Sequence, residues 1–314
     1  MAKKNRHAYP DVTDTLPSPI VDNHTHFPVG AAHGALGDTR DYSGRDAQEI
    51  PPTISEHVAR MEQAGVRAAI TSGCEVPDLA ESVELSRLYP GTIYSAIAIH
   101  PNEAPRHRGI TATAPDGLTQ GLDPWHRDYS LDDALTLVAD LARDPGVVAI
   151  GETGLDYFRT ADEGKAAQEE SFRMHIALAK ELGLPLQIHD REAHEDCVKI
   201  LLSEGAPERT VFHCFSGDRA LAQVCAEQGW YASFSGTLTY KANEELRAAF
   251  LELPDELIMV ETDAPYLTPM PWRGHPNAAY ACAYTARFMA DVRGVNLAQW
   301  CERLDATTRE VYGI

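Results

Sequence analysis

The sequence has no long apolar run, no paired cysteine motif and no excess of positive charge. A membrane-spanning helix needs roughly 18 uninterrupted apolar residues, and the first residues do not lead into the apolar stretch of a secretory signal. The six cysteines lie far apart without a Cys-x-x-Cys pair, which argues against a zinc knuckle or a redox pair. These absences predict a cytoplasmic protein with reduced thiols and no membrane partner, and nothing indicates an obligate protein partner.

The charge balance is strongly acidic. The chain of 314 residues has 27 Lys and Arg against 47 Asp and Glu, a formal net charge of −20. Such a surface repels nucleic acid and anionic membranes at long range, so any polyanionic substrate must be held by local features. Apolar residues make up 44%, enough for a packed core and too many for a disordered chain.

Strand-like apolar runs alternate with helical patterns along the chain. The eight runs cover residues 20–27, 66–71, 93–100, 147–153, 184–189, 210–215, 230–235 and 257–262. Several are continuously apolar, as expected for parallel strands covered on both faces. Eight β-then-α units predict an α/β fold, a single TIM (β/α)8 barrel over residues 20–314 behind a lead-in of residues 1–19. A doubly wound open sheet is the alternative.

Two connections are longer than a compact barrel needs. Residues 30–45 are rich in glycine, and residues 102–128 are rich in proline, glycine and polar side chains. Loops of this length are usually functional. We expect both to lie at the rim of the active site, the second as a lid or a surface excursion.

Metal-competent side chains recur at the carboxyl ends of the predicted strands, the end where barrels carry their active sites. The six candidates are His24, His26, Glu152, His189, His213 and Asp263. A single catalytic zinc takes three protein ligands and a water, so six candidates favour two divalent ions, Mg, Zn, Mn or Ni. We expect one ion on His24, His26 and Asp263, the other on His189 and His213, with Glu152 bridging.

Further polar residues at these strand ends are candidates for catalysis and substrate binding. Asp263 is expected to orient or deprotonate a water, and His100 to contact a phosphate oxygen or a water. Arg191 has the fork geometry for phosphate, although an ion pair at a helix start explains it nearly as well. Asp156 and Tyr157 either contact substrate or cap their loop.

Two acidic residues are predicted to support the ligands. Asp22 lies on the same strand face as His24 and is expected to hydrogen-bond a ligand histidine and fix its tautomer; Glu261 precedes Asp263 by two residues. Cys214 is expected to point away from the metal site. The remaining histidines, His7, His33, His57, His107, His126, His175, His194 and His275, fall on predicted loops or helix surfaces, where a solvated or capping role is expected.

Six ordered motifs from about residue 20 to residue 312 resemble the TatD-type metal-dependent deoxyribonucleases of the amidohydrolase superfamily. They are Asp22-Asn-His-Thr-His26, Ile99-His-Pro101, Gly151-Glu-Thr-Gly-Leu-Asp-Tyr157, Ile188-His-Asp-Arg191, Phe212-His-Cys-Phe-Ser-Gly217 and Glu261-Thr-Asp-Ala-Pro-Tyr-Leu267. The resemblance implies a TIM barrel, metal-dependent phosphodiester hydrolysis and the same six metal ligands. The segment Arg273-Gly-His-Pro-Asn277 departs from the family's usual Arg-Gly-Lys-x-Asn pattern.

The predicted function is therefore a two-metal phosphodiesterase, a deoxyribonuclease that takes single-stranded nucleic-acid ends, because a pocketed barrel mouth suits ends better than the middle of a duplex. The alternative is a small-molecule amidohydrolase, lactonase or phosphotriesterase of the same superfamily. Many of those enzymes bridge their ions with a carboxylated lysine, whereas Glu152 occupies the corresponding strand here. This difference favours the nuclease.

Overall fold

Eight parallel strands, paired in chain order, form the barrel in a computed structural model that describes residues 8–28 and 52–314. The strands are β1 (Ile20–Thr25), β2 (Val66–Gly73), β3 (Ile93–Ile97), β4 (Val147–Asp156), β5 (Leu186–Arg191), β6 (Thr210–Phe212), β7 (Tyr231–Phe234) and β8 (Ile258–Val260). The prediction of a TIM barrel is confirmed. Their residues are almost wholly buried, which explains the continuous apolar runs.

Helices surround this barrel. Within the described ranges they are α1 (Ile54–Ala64), α2 (Val76–Leu88), α3 (Ala104–His107), α4 (Pro124–Asp128), α5 (Leu131–Leu141), α6 (Asp162–Leu182), α7 (His194–Glu204), α8 (Arg219–Gln228), α9 (Glu244–Glu252), α10 (Cys282–Arg293) and α11 (Leu297–Tyr312). Short 3-10 turns occur at Gly236–Thr239, Asp255–Leu257 and Ala279–Ala281.

Local signals delimit α1 at both ends. The Thr53 side chain accepts a hydrogen bond from the Glu56 amide, and the Glu56 carboxylate accepts one from the Thr53 amide. The two bonds form a capping box. At the other end Gly65 has φ +85°, a conformation that glycine adopts without strain. The chain then enters β2 directly at Val66, so the turn sets where this strand begins.

Hydrogen bonds at the carboxyl ends of β1 and β8 close the barrel between its first and last strands. The Asp263 amide donates to the His24 carbonyl at 2.9 Å, and the His26 amide donates to the Ala264 carbonyl at 2.7 Å. The Asn23 side chain also donates to the Val260 carbonyl at 2.9 Å. These bonds bring the end of β1 beside the end of β8, where candidate ligands of both strands meet.

Strand β4 continues three residues beyond its predicted end, to Asp156. Gly154 makes this possible, because a Cβ there would lie 2.1 Å from the carbonyl oxygen of His189 and its φ is +137°. Only glycine permits this close approach of β4 to β5. The pairing sets Gly154 opposite His189 and Asp156 opposite Arg191.

The connection of residues 102–128 is packed onto the barrel rim rather than forming a free surface excursion. It contains α3 and α4, which contact each other, and α3 also packs against α6. Glu103 accepts a hydrogen bond from the His126 ring at 2.7 Å and pairs with Arg106 at 2.5 Å. Buried polar bonds thus fix the segment. The other long connection, residues 30–45, lies outside the described residues.

Residues 8–19 pack against the last helices. Tyr280 and Tyr284 donate from their hydroxyls to the carbonyls of Pro10 and Asp11, each at 2.8 Å. His275, at the departure from the family pattern, bonds the Ala8 carbonyl at 2.9 Å. In the part of the chain that the structure describes, no helix is long and apolar enough to cross a membrane.

Candidate metal centre

Glu152 lies at the centre of the six predicted ligands. Its Oε1 is 3.8 Å from His24 Nε2 and 3.5 Å from His26 Nε2. Its Oε2 is 3.0 Å from His189 Nδ1 and 2.6 Å from His213 Nε2. One carboxylate therefore presents one oxygen to each of two histidine pairs, the arrangement expected of a bridging ligand.

The hydrogen bonds of His24 and His26 turn the Nε2 atoms of both rings toward the centre. His24 Nδ1 donates to Gln187 Oε1 at 3.1 Å, since the amide nitrogen of Gln187 is bonded elsewhere. His26 Nδ1 donates to the Ser72 carbonyl at 3.2 Å. In the neutral rings both Nε2 atoms are then unprotonated, and they lie 3.3 Å apart. Both Nε2 atoms could coordinate a cation once His26, whose pKa is raised to about 9, has released its proton.

The second pair has carboxylate partners behind the rings. His189 Nε2 donates to Asp156 Oδ2 at 3.1 Å, which turns Nδ1 toward Glu152. His213 Nδ1 lies 3.4 Å from Glu261 Oε1. A carboxylate on the far ring nitrogen orients a histidine and raises its basicity as a ligand. Asp156 and Glu261 are placed for this role, and Asp156 also caps its own loop through the amides of residues 158 and 159.

Asp263 completes the first group, but Asp22 does not support it in the expected way. Asp263 Oδ1 lies 3.4 Å from His26 Nε2 and 3.9 Å from His24 Nε2. The Asp22 carboxylate was expected to bond a ligand histidine; it instead accepts the Thr262 amide at 2.8 Å and the Thr262 hydroxyl at 2.6 Å. The reason is position: Thr262 presents two donors across the β1–β8 junction, whereas His24 reaches Gln187 on β5.

His100 lies beside Glu152 and can donate a hydrogen bond from Nε2. The Asn102 amide donates to His100 Nδ1 at 3.0 Å, so a neutral His100 carries its proton on Nε2, which lies 3.8 Å from Glu152 Oε2. Burial lowers the pKa of His100 to about 4 and keeps the ring neutral. The ring thus offers an N–H and no lone pair toward the centre, which favours contact with an oxygen of substrate or water over coordination.

The ionisation of the cluster shows how a cation and protons compete there. Burial acts to raise the pKa of Glu152, but the surrounding histidines, His213 foremost, hold it well below its usual value. Burial lowers the pKa of His24 to about 3. For His26 and His189 burial also acts downward, yet hydrogen bonds to Asp263 and Asp156 raise each pKa to about 9. Metal binding must therefore release protons from these rings.

Of the predicted substrate contacts Arg191 and Tyr157, only Arg191 lines the cavity above the centre. Arg191 lines the cavity above the centre with its guanidinium stacked on Phe158, 4.1 Å from the ring centroid. It forms no ion pair with the described residues, so its charge is available. Tyr157 turns away: its hydroxyl donates to Asp196 at 3.0 Å and its ring packs on the core. A substrate contact by Tyr157 does not agree with this position.

Sequence patterns missed several residues around the centre. Gln187 and Ser72 hold the tautomers of two candidate ligands from distant points of the chain, with no motif to mark them. Cys74 lies with its Sγ 3.5 Å from Glu152 Oε1. Cys214 stays off the ligand set, with Sγ 3.4 Å from the Ser235 hydroxyl, although it lines the cavity.

Four of the histidines for which a solvated or capping role was expected are buried, namely His57, His107, His126 and His175. His126 nevertheless caps α4, since its Nδ1 accepts the Asp123 amide at 2.9 Å. His175 accepts the Ile99 amide on Nε2 at 3.1 Å and donates from Nδ1 to the Ser171 carbonyl at 2.8 Å. The sequence pattern predicts a solvent-exposed position for His175, because a polar residue on a helix is usually exposed, whereas its side chain is buried. It fixes the backbone next to His100. His7 and His33 lie outside the described residues.

The centre opens into a cavity of about 1050 Å³. Its described walls include Tyr9 from the N-terminal segment, Trp125 from α4, and Arg159 and Tyr266 from the loops after β4 and β8. Pockets for small molecules typically measure about 300–1,000 Å³. The cavity is thus slightly larger than that range, and its walls carry both cationic and aromatic side chains.

Comparisons with known proteins agree with the fold. The family model described as TatD related DNase matches residues 21–313. A Mycobacterium tuberculosis protein named uncharacterized metal-dependent hydrolase TatD is 36% identical over 94% of this chain and 98% of its own length. A Klebsiella pneumoniae protein named 3'-5' ssDNA/RNA exonuclease TatD is 32% identical over 82% and 91%.

A solved structure of the Escherichia coli TatD homologue YjjV superposes with a TM-score of 0.73 at 24% identity, over 94% of this chain and 98% of that one. At that identity the likeness supports the barrel alone. The family match over nearly the whole chain and the M. tuberculosis relative carry the assignment. This chain belongs to the TatD family of metal-dependent hydrolases.

Proposed function

We propose that the protein is a phosphodiesterase that hydrolyses single-stranded nucleic-acid ends with two divalent ions. The observation that carries the proposal is the position of Glu152, whose two oxygens each face a pair of histidines. Two ions in such a site can activate water and neutralise charge on the attacked phosphoryl group. The imidazole-rich donor set suits zinc, manganese or nickel, whereas magnesium prefers oxygen ligands.

The chain's own residues would share the remaining work. Burial raises the pKa of Asp263, but His26, His213 and His24 hold it below its usual value, so the carboxylate is ionised and able to orient a water or take its proton. The Nε2–H of His100 would donate to a phosphate oxygen. The guanidinium of Arg191 would hold a flanking phosphate, since its stacking on Phe158 fixes it at the rim.

The nucleic-acid substrate is supported by the composition of the mouth and by relatives. The net charge of −20 opposes binding along a duplex, while bound ions together with Arg191 would concentrate positive charge at one point, which suits a strand end. Two relatives, from Klebsiella pneumoniae and Edwardsiella piscicida, are named 3'-5' ssDNA/RNA exonuclease TatD. We infer the same substrate class for this chain.

The test is a parallel assay of the metal-loaded protein on single-stranded DNA, RNA and a panel of amides and lactones. The proposal expects release of nucleotides from strand ends, and loss of that release in Asp263→Asn. Circularised single strands are the matched control and should resist cleavage. Activity confined to amides and lactones would contradict the proposal and favour a small-molecule hydrolase.

A further inference from the structure

Tyr266 is a largely exposed aromatic residue at the wall of the cavity. Its relative exposure is 64%, the highest among the exposed large apolar side chains of the described residues, and of these it alone lines the cavity of the metal centre. Tyr157 and Tyr280 use their hydroxyls in structural hydrogen bonds. Tyr266 makes no such bond within the described part of the chain, so packing does not account for a tyrosine at this position.

The backbone beneath the ring is nevertheless firmly held. The Tyr266 amide donates to the Asp263 carbonyl at 2.9 Å. The buried side-chain amide of Asn277 donates to the Tyr266 carbonyl at 2.5 Å and to the Thr262 carbonyl at 3.1 Å. An aromatic side chain on a fixed backbone loses little conformational freedom when it binds a ligand.

The position of the ring relates it to the reacting centre. Tyr266 follows Asp263 by three residues, and its ring centroid lies 6.4 Å from that of His26, edge to face. A planar group resting on the exposed face of Tyr266 would thus be a near neighbour of the candidate ions. Every nucleobase has such a face, and stacking on aromatic side chains is the usual means of holding single strands without reading their sequence.

We propose that Tyr266 is a stacking platform for a nucleobase at the end of the bound strand. This inference rests on the proposed nuclease function and names the subsite that holds the terminal nucleotide. The base on Tyr266 and the phosphate beside Arg191 would fix the strand at two points. Stacking also predicts little preference among the four bases, because no hydrogen-bonding group of the base is read.

The test varies the residue and the base together. Tyr266→Ala and Tyr266→Phe are assayed on single-stranded oligonucleotides with normal ends and with an abasic residue at either end. For normal ends we expect Tyr266→Ala to raise KM by about 5- to 140-fold, the range that base–aromatic stacking gives. Tyr266→Phe should restore the wild-type KM. For abasic ends wild type and Tyr266→Ala should differ by less than about 2-fold.

Tyr129→Ala is the matched control, since Tyr129 is also exposed, at 38%, and is not among the residues that line the cavity. It should leave KM unchanged. If wild type cleaves nucleic acid and Tyr266→Ala raises KM equally for normal and abasic ends, or not at all, the stacking subsite is wrong while the nuclease stands. If wild type cleaves no nucleic acid under any metal, the proposed function itself fails, and the subsite fails with it.

Discussion

Gln187 should control the affinity of the site for metal, although it is not itself a candidate ligand. Its side chain is buried on β5, accepts a hydrogen bond from His24 Nδ1–H at 3.1 Å, and donates to the Asn23 carbonyl at 3.0 Å and to the Tyr312 hydroxyl at 2.8 Å. In Gln187→Leu, His24 loses the acceptor that fixes its tautomer. Partners of this kind typically change metal affinity by about 10- to 100-fold.

The structure also sets the cost in stability. The substitution leaves three buried groups without their partner in Gln187, namely His24 Nδ1–H, the Asn23 carbonyl and the Tyr312 hydroxyl. At about 1–3 kcal/mol of unfolding free energy each, this is a large part of the roughly 5–15 kcal/mol of a typical domain, so metal affinity is compared under conditions in which the variant is folded. Chelator competition would measure metal affinity, and urea unfolding of the metal-free protein would measure stability.

Tyr312→Phe provides the control, because it removes the hydroxyl bonded to Gln187 and leaves the contact with His24 in place. It should lower the unfolding free energy by about 1 kcal/mol and leave metal affinity within about 2-fold. The reasoning is refuted if Gln187→Leu loses stability but binds metal as tightly as wild type, or if both variants weaken metal binding equally.

Three further outcomes follow from the same geometry. Burial lowers the pKa of His175 to about 4 from 6.5, so the stability of the neutral ring is complete above pH 6.5 and is lost as pH falls toward 4. Between pH 7.5 and 5 wild type should lose about 2 kcal/mol more unfolding free energy than His175→Gln, measured by urea titration. His100→Asn should keep its metal content by elemental analysis and lose turnover; unchanged turnover would remove His100 from the reaction. Arg191→Ala should raise KM for oligonucleotides with little change in kcat, whereas Arg191→Lys should recover only part of the loss; equal effects on short neutral esters would exclude a phosphate contact.

Sequence periodicity predicted the barrel because each buried strand carries its own apolar run and each helix its own stripe. It also predicted the ligand candidates, since the barrel topology alone brings the ends of β1, β4, β5, β6 and β8 together. Strand ends were less accurate: β6 stops at Phe212, three residues early, because His213 already turns toward Glu152. Gly154 carries β4 onward by a contact with β5 that no local pattern shows.

Glu261 was predicted as a supporting residue and lies behind His213, but Gln187 behind His24 and Thr262 behind Asp22 could not be predicted, because each is a contact between distant strands. Gln187 lies 163 residues from His24, and Thr262 lies 240 residues from Asp22. Which of several nearby acceptors a histidine bonds depends on ångström-scale register, and a sequence does not specify that. The same limit explains Asp22, which lies on the expected strand face but finds a closer donor pair than the histidine.

The central claim, two ions held on either side of one bridging carboxylate, is tested most directly by anomalous diffraction from crystals grown with zinc or manganese. We predict two anomalous peaks flanking Glu152, one beside His24, His26 and Asp263 and the other beside His189 and His213. A single peak at saturating metal, or two peaks that both lie away from Glu152, would contradict the account.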